Sequence, residues 1–321
     1  MSRRRLGVVA PLPEPVGIYV QAWRRALCEP TRERIVPHIT LAPPQSIPEE
    51  QVPAAVALVE AAAAAGVPGV VTLHGAATFL PDSPVTYLVV AEGGPALAAL
   101  EAALRAEPLS RRTHPFHPHV TVAQELPPAD LEAAVADLGD FHAAFQLGEI
   151  ALMVQGDDRA WRPLHTAPVG ASELAREVPV AEAASAALFL LDPPRVLLGL
   201  RSSQPGRRYP GVWDALGGKP EPGEPLLAAL LREVREEADV EPLDVAPLGC
   251  FHDGDRADAF FVATSWRGEI RNTEPDEHAR LEWVLLDEAP ARAMAPTTRR
   301  ALRRLIEVLG GTGTVGGTRP G

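Results

Sequence analysis

Apolar residues recur along this chain in two rhythms. In the first half, short runs at Leu6–Ala10, His38–Leu41, Val70–Phe79, Thr86–Ala91, His119–Val122 and Ile150–Val154 fit strands. Between them, Ala- and Leu-rich stretches at Val16–Cys28, Pro48–Ala64, Pro95–Arg105 and Pro128–Asp137 fit helices, several opening on Pro or an acidic residue. This reads as two similar lobes of strand and helix. In the second half, strands near Ala186–Leu191, Arg195–Ser202 and Asp214–Gly217 precede a strong helix from Pro225 to Ala238. Strands near Pro247–Phe251, Asp258–Thr264 and Leu281–Leu285 follow, then a last helix around Thr297–Leu309.

The stretch from Thr166 to Ala184 has no apolar period and mixes Pro, Gly, Ser and Glu, which places a break near residue 172. A chain of 321 residues can bury two cores of ordinary size. The pattern predicts a two-domain α+β protein with a first domain over 1–168, a linker over 169–183 and a second domain over 184–309. The Gly/Thr-rich tail over 310–321 has almost nothing to bury and is expected to be disordered.

The formal net charge is −12, divided evenly between the halves, so neither offers the broad basic face of a general nucleic-acid binder. Small nucleotides, or an RNA end held by a few arginines, are the partners that remain. Arg24 and Arg25, or Arg111 and Arg112, could steady a phosphate, but they read first as surface arginines. Lys219 is the only lysine, which argues against a ligase working through a lysyl intermediate. Cys28 and Cys250 have neither metal-ligand spacing nor the density of a disulfide scaffold, so a reducing cytoplasm fits best. No membrane-spanning run is present, and nothing bears on oligomeric state.

The most informative stretch is Gly218-Lys-Pro-Glu-Pro-Gly-Glu224, followed by a helix carrying Arg232-Glu233-Val234-Arg235-Glu236-Glu237-Ala238-Asp239. Glu233, Glu236 and Glu237 stand at helical offsets of zero, three and four, on one face, where like charges repel unless a cation intervenes. A hard divalent ion such as Mg²⁺, or Mn²⁺ in its place, resolves that conflict. Leu226, Leu227, Leu230, Leu231 and Val234 are expected on the opposite, anchoring face. Gly217, Gly218 and Gly223 supply the tight turns before the helix. Glu224 and Arg232, about two turns apart, can brace it with an ion pair.

This segment resembles the Nudix hydrolase box: Gly, five residues, Glu, seven residues, Arg-Glu, an aliphatic, any residue, Glu-Glu, any residue, Gly, an aliphatic. Only the last Gly departs, being Asp239, which tolerates the left-handed helix end better than most residues. The resemblance implies an α/β/α sandwich and attack of metal-activated water on a pyrophosphate-type bond of a nucleoside diphosphate linked to X. It implies Glu236 and Glu237 as metal ligands with the Gly218 carbonyl, Glu233 as ligand or base, and Arg232 and Glu224 as holders of the loop–helix geometry. Downstream, Trp266, Glu274 and Glu277 look like a substrate loop, with Glu274 or Glu277 offering a further ligand or base. Trp266 and Trp283 read equally well as core.

In the first half, Pro37-His38-Ile39-Thr40-Leu41 and Pro118-His119-Val120-Thr121-Val122 are near copies. On a strand, positions i and i+2 share a side, so each pair presents an imidazole with a hydroxyl while Ile39, Leu41, Val120 and Val122 face the core. Two such strands side by side suit metal-free phosphodiester chemistry: one His takes a proton, the other gives one, and the Thr hydroxyls meet developing negative charge. Spacing does not assign the two roles. His114 and His117 beside His119 could mimic a zinc cluster, but Pro115 and Pro118 interrupt the segment.

The paired motif resembles the 2H phosphoesterase superfamily, which includes 2′-5′ RNA ligase-like proteins. That resemblance implies a bilobal fold without a cofactor, acting on 2′,3′-cyclic phosphates or 2′-5′ linkages through His38, Thr40, His119 and Thr121. Together the two halves suggest a bifunctional nucleotide-processing hydrolase; the alternative is a nucleotide-sensing or RNA-binding regulator with silent sites.

Overall fold

The computed structural model describes residues 2–112, 114–170, 183–204, 208–254 and 256–309. Most of the expected linker and the whole expected tail lie outside the described residues. The chain divides into two compact units, residues 1–175 and 176–321.

In the first unit the elements run β1 (Arg3–Pro11), α1 (Val16–Ala26), β2 (His38–Pro48), α2 (Val52–Ala65), β3 (Val70–Thr78) and β4 (Val85–Glu92). They continue with α3 (Gly94–Ala103), β5 (His119–Gln124), α4 (Pro128–Asp137), β6 (His142–Gln146), β7 (Glu149–Gln155) and β8 (Trp161–Pro168). The strands form one antiparallel sheet in the order β6-β3-β4-β5-β2-β1-β7-β8, two four-stranded lobes meeting where β5 lies beside β2. Among the described residues a single registered pair, Ile39 with Val120, joins those two strands. Ile39, Leu41, Val120 and Val122 are all buried, so the strand alternation turns His38, Thr40, His119 and Thr121 toward the other face.

In the second unit the order is β9 (Ser185–Asp192), β10 (Arg195–Arg201), β11 (Trp213–Asp214), β12 (Leu216–Gly218), α5 (Leu226–Ala238) and β13 (Glu241–Pro242). Then come β14 (Ala246–Asp253), β15 (Arg256–Ala263), β16 (Trp266–Arg267), β17 (His278–Leu285) and α6 (Pro296–Leu309). The main path is β11-β10-β9-β15-β14, with β12 on β9 and β17 on β10, and β9 runs parallel to β15. Both faces of β9 are covered: Leu188 and Leu190 join Leu230, Val234 and Ala238 of α5 in one core, while Phe189 packs on Phe260 on the other side. With α6 against β14, this is the α/β/α sandwich. Among the described residues no helix is long and apolar enough to cross a membrane.

The anchoring face of α5 differs from the expected one. Ala229, Leu230, Val234 and Ala238 are buried, whereas Leu227 is 46% exposed although it shares the stripe of 230, 234 and 238, because it stands in the first turn, at the end of the helix. Glu237 lies on that buried side, which has consequences for the site. The helix ends on Asp239 at φ 56°, ψ 33°, the left-handed cap that Gly more often provides.

Candidate active sites

In the first unit, the pairing of Ile39 with Val120 brings the two triplets together on one face of the sheet. His38 Nδ1 lies 2.8 Å from the Val36 carbonyl and so donates its proton there, leaving Nε2 3.2 Å from Thr40 Oγ1. His119 repeats the first contact, Nδ1 lying 2.7 Å from the His117 carbonyl. Both rings therefore present Nε2, the nitrogen left to exchange a proton with a substrate.

Their surroundings differ. Burial pushes His38 down to about 4, with the nearby Arg24 and His119 charges acting in the same direction and the Val36 carbonyl against it. Burial also lowers His119, helped by His117 and opposed by the His117 carbonyl. His119 packs edge-on against Phe79 and Tyr87, ring centres 5.0 and 5.2 Å away. His117 is part of this aromatic group, and among the described residues no cluster of three His, Cys, Asp or Glu able to hold a metal is formed. Arg24 is a correction to the surface reading: it is 3% exposed and ion-paired to Glu29 at 2.9 Å, because α1 turns it inward. Arg112 pairs with Glu101 at 2.7 Å.

In the second unit, Arg232 is the hub. Its guanidinium binds Glu224 twice, at 3.1 and 3.0 Å, and one of its amino groups reaches Glu233 at 3.0 Å and Glu236 at 2.9 Å. Glu233 lies directly on Gly218: a Cβ there would fall 2.6 and 2.7 Å from its carboxylate oxygens. Burial raises Glu233 above the usual carboxylate range, with Arg232 opposing and Glu236 and Glu274 adding repulsion.

Glu237 turns away from this group. It is 1% exposed, its Oε2 accepts the Gly217 N–H at 2.8 Å, and its Oε1 lies 3.0 Å from Nε2 of the equally buried His278. Burial raises it too, against His278 and the Gly217 N–H. The helix offsets thus gather the acids on neighbouring positions, but Arg232 takes two and His278 the third. No three of these acids gather into one ligand cluster among the described residues, but the chemistry that suits a hard divalent ion is present in pairs: carboxylate oxygens of Glu233 and Glu236 converge on one cationic nitrogen beside the Gly218 backbone.

Gly217, Gly218, Glu233 and Glu237 line a cleft of about 540 Å³. Glu277 lines it as well, 3.5 Å from Arg201, which also pairs with the partly buried Asp214 at 3.2 Å. Glu274 is exposed and acts on Glu233 only through its charge. Trp266 is stacked on Trp283 at 5.8 Å and packs against the core, outside the cleft lining. Sequence reasoning missed Arg201, Arg208, Tyr209, Arg256, Asp258 and His278, which come from β10, the loop after it, β15 and β17, too far apart along the chain to form one local pattern. Lys219, noticed only for being unique, is part of the lining.

A family model for the 2′-5′ RNA ligase superfamily matches residues 12–159, and a NUDIX domain model matches residues 181–305. A protein of Shouchella clausii (strain KSM-K16) with a phosphoesterase designation is 32% identical over 136 residues, 41% of this chain and 79% of the relative. Among solved structures, a MutT NUDIX hydrolase from Burkholderia pseudomallei is 28% identical, covering 37% of this chain and 95% of that one, with a TM-score of 0.34. Escherichia coli LigT complexed with 3′-AMP is 23% identical, covering 52% and 99%, with a TM-score of 0.40.

Proposed function

Because the chain belongs to the 2′-5′ RNA ligase superfamily through its first domain and carries a NUDIX domain in its second, we propose that it is a bifunctional nucleotide-processing hydrolase. The second domain cleaves a pyrophosphate-type bond in a nucleoside diphosphate linked to X, and the first opens a 2′,3′-cyclic phosphate or cleaves a 2′-5′ linkage without metal. The observation that carries this reading is the convergence of Glu224, Glu233 and Glu236 on Arg232 beside Gly218, at the edge of a cleft large enough for a nucleotide.

In the second domain, Glu233 and Glu236, with Glu237 and the Gly218 carbonyl, are the groups that would hold Mg²⁺ or Mn²⁺. The chemistry such an ion would supply is polarisation of a phosphoryl oxygen and a more acidic water. Arg232 holds the carboxylates of Glu233 and Glu236 in place through hydrogen bonds and would yield them to a bound cation. Glu237 keeps the Gly217–Gly218 strand and α5 at fixed spacing through its bond to the Gly217 N–H. Arg201, Arg208 and Lys219 on the cleft wall supply positive charge for substrate phosphates.

In the first domain, His38 is kept neutral by its surroundings and so suits proton acceptance from water or a ribose hydroxyl. His119 on the neighbouring strand is shifted in the same direction, so the pair works as a relay in which one ring takes a proton and the other, once protonated, gives one to the leaving oxygen, while the hydroxyls of Thr40 and Thr121 donate to the non-bridging oxygens.

A substrate screen on the full chain tests this reading: nucleoside triphosphates, dinucleoside polyphosphates, ADP-ribose and nucleotide sugars for the second domain, and 2′,3′-cyclic nucleotides for the first. Turnover in both groups is the expected result. No turnover in either would leave a nucleotide-sensing role instead.

A further inference from the structure

A chain of polar side chains runs from the buried side of α1 to the end of β5, and the chemistry above does not use it. Arg24 and Glu29 are 3% and 0% exposed and form an ion pair of 2.9 Å. Arg24 Nη1 also donates to the Ile35 carbonyl at 2.8 Å and to Gln21 Oε1 at 3.1 Å. The other Glu29 oxygen accepts the Thr31 N–H at 2.8 Å and the Thr31 hydroxyl at 2.5 Å. Gln124 Nε2 then donates to Thr31 Oγ1 at 2.6 Å.

The two ends of this chain are informative. Ile35 immediately precedes Val36, whose carbonyl fixes the His38 ring, and Gln124 is the last residue of the strand that begins at His119. Between those ends, the sheet itself joins the two strands through Ile39 and Val120 alone among the described residues. A single registered pair defines which strand lies beside which, but controls the splay of the two triplets poorly.

We propose that Arg24 is the positioning residue of the two-histidine site, holding the segment that leads into His38 directly and the His119 strand through Glu29, Thr31 and Gln124. This rests on the two-histidine reading of the first domain. A buried ion pair is a poor device for stability alone, since well-packed apolar side chains of similar size do as well. What it adds is direction: each donor and acceptor admits one geometry, and the planar guanidinium fixes two partners at once. Arg24 from α1 and His119 from β5 are also the charged or titratable groups that act on His38, and both disfavour its protonated form. Arg24 therefore adds to the effect of burial in keeping His38 neutral, besides holding its place.

The test is an imidazole NMR titration of the full chain, wild type against Arg24→Gln and Arg24→Lys, with kinetics on a 2′,3′-cyclic nucleotide. In Arg24→Gln the His38 midpoint is expected to rise from about 4 by the part that the Arg24 charge contributes, burial still holding it below 6.5, and the acid limb of kcat/KM to move with it. A fall in kcat of about 10- to 100-fold is expected from the misplaced rings, with KM little changed. Arg24→Lys should restore the midpoint without restoring kcat, because an ammonium cannot reproduce the fork. An unchanged His38 midpoint together with unchanged kcat overturns the proposal.

If Arg24→Gln does not fold, Gln124→Leu cuts only the link to Thr31. A reduced kcat at unchanged melting temperature supports the positioning role, and wild-type kcat overturns it. If the wild-type chain turns over no cyclic substrate, the two-histidine reading fails by itself. The titration and the splay of His38 and His119 resonances in Gln124→Leu then still decide whether Arg24 governs these rings.

Discussion

Ile39 and Val120, the middle residues of the two His-x-Thr triplets, face each other across β2 and β5 and are both fully buried. The side chains that flank them carry the proposed chemistry, so one apolar contact sets the register for both. Ile39→Ala should destabilise the first domain by about 2–5 kcal/mol, and Ile39→Val by about 0.5–1.5 kcal/mol. Urea denaturation measures this. Cyclic-phosphate turnover should fall in the alanine variant beyond what the folded fraction explains, and stay near wild type in the valine variant.

Gly218 is required for a different reason. A side chain there meets the Glu233 carboxylate, so Gly218→Ala should displace that carboxylate from its place against the Gly218 backbone. Hydrolysis of the nucleoside diphosphate substrate should drop by about 100-fold, the scale of a misplaced catalytic group. Mn²⁺ affinity followed by electron paramagnetic resonance should weaken in parallel. Turnover equal to wild type would show that Glu233 does not work against the Gly218 backbone.

Arg232 is the cation that Glu224, Glu233 and Glu236 share. Arg232→Gln leaves three carboxylates without it, so the folded second domain should depend more on an added cation. The rise in melting temperature between chelator and excess Mg²⁺ should be larger in Arg232→Gln than in wild type, since a ligand that binds only the folded state stabilises it by mass action. An equal rise in both proteins would mean the guanidinium does not compensate these charges.

The His38 imidazole has a folded value of about 4, below its usual 6.5, so the unfolded chain takes up this proton first as pH falls. His119 is shifted in the same direction. The stability these rings contribute is therefore complete above about pH 6.5 and is lost as pH falls from there through 4. The first-domain urea midpoint should decline between pH 7 and pH 4.5, less steeply in His38→Gln. A midpoint flat over that range would place His38 in an ordinary, solvated environment.

Both candidate sites were legible where their chemistry demands contiguous spacing. The box from Gly218 to Asp239 fits one loop and one helix, and each His-x-Thr fits three residues of a strand. Strands β6 and β8 were not legible, because they are outer strands: His142–Gln146 is short and Ala-rich, and Trp161–Pro168 contains Pro163 and is mostly exposed. Contacts made across the fold left no local signal either. Glu237 finds His278 from 41 positions away and Thr31 finds Gln124 from 93, so neither the inward turn of Glu237 nor the burial of Arg24 could be read from neighbours in the chain.

The most direct measurement crosses the two sites in the full-length protein: turnover of a nucleoside diphosphate substrate and of a 2′,3′-cyclic nucleotide, each with Mg²⁺ and with chelator, in wild type, Glu236→Gln and His119→Ala. Two independent chemistries predict that chelator and Glu236→Gln abolish only the first reaction, and His119→Ala only the second. Loss of both reactions in either variant, or cyclic-phosphate opening that stops with chelator, would contradict the account.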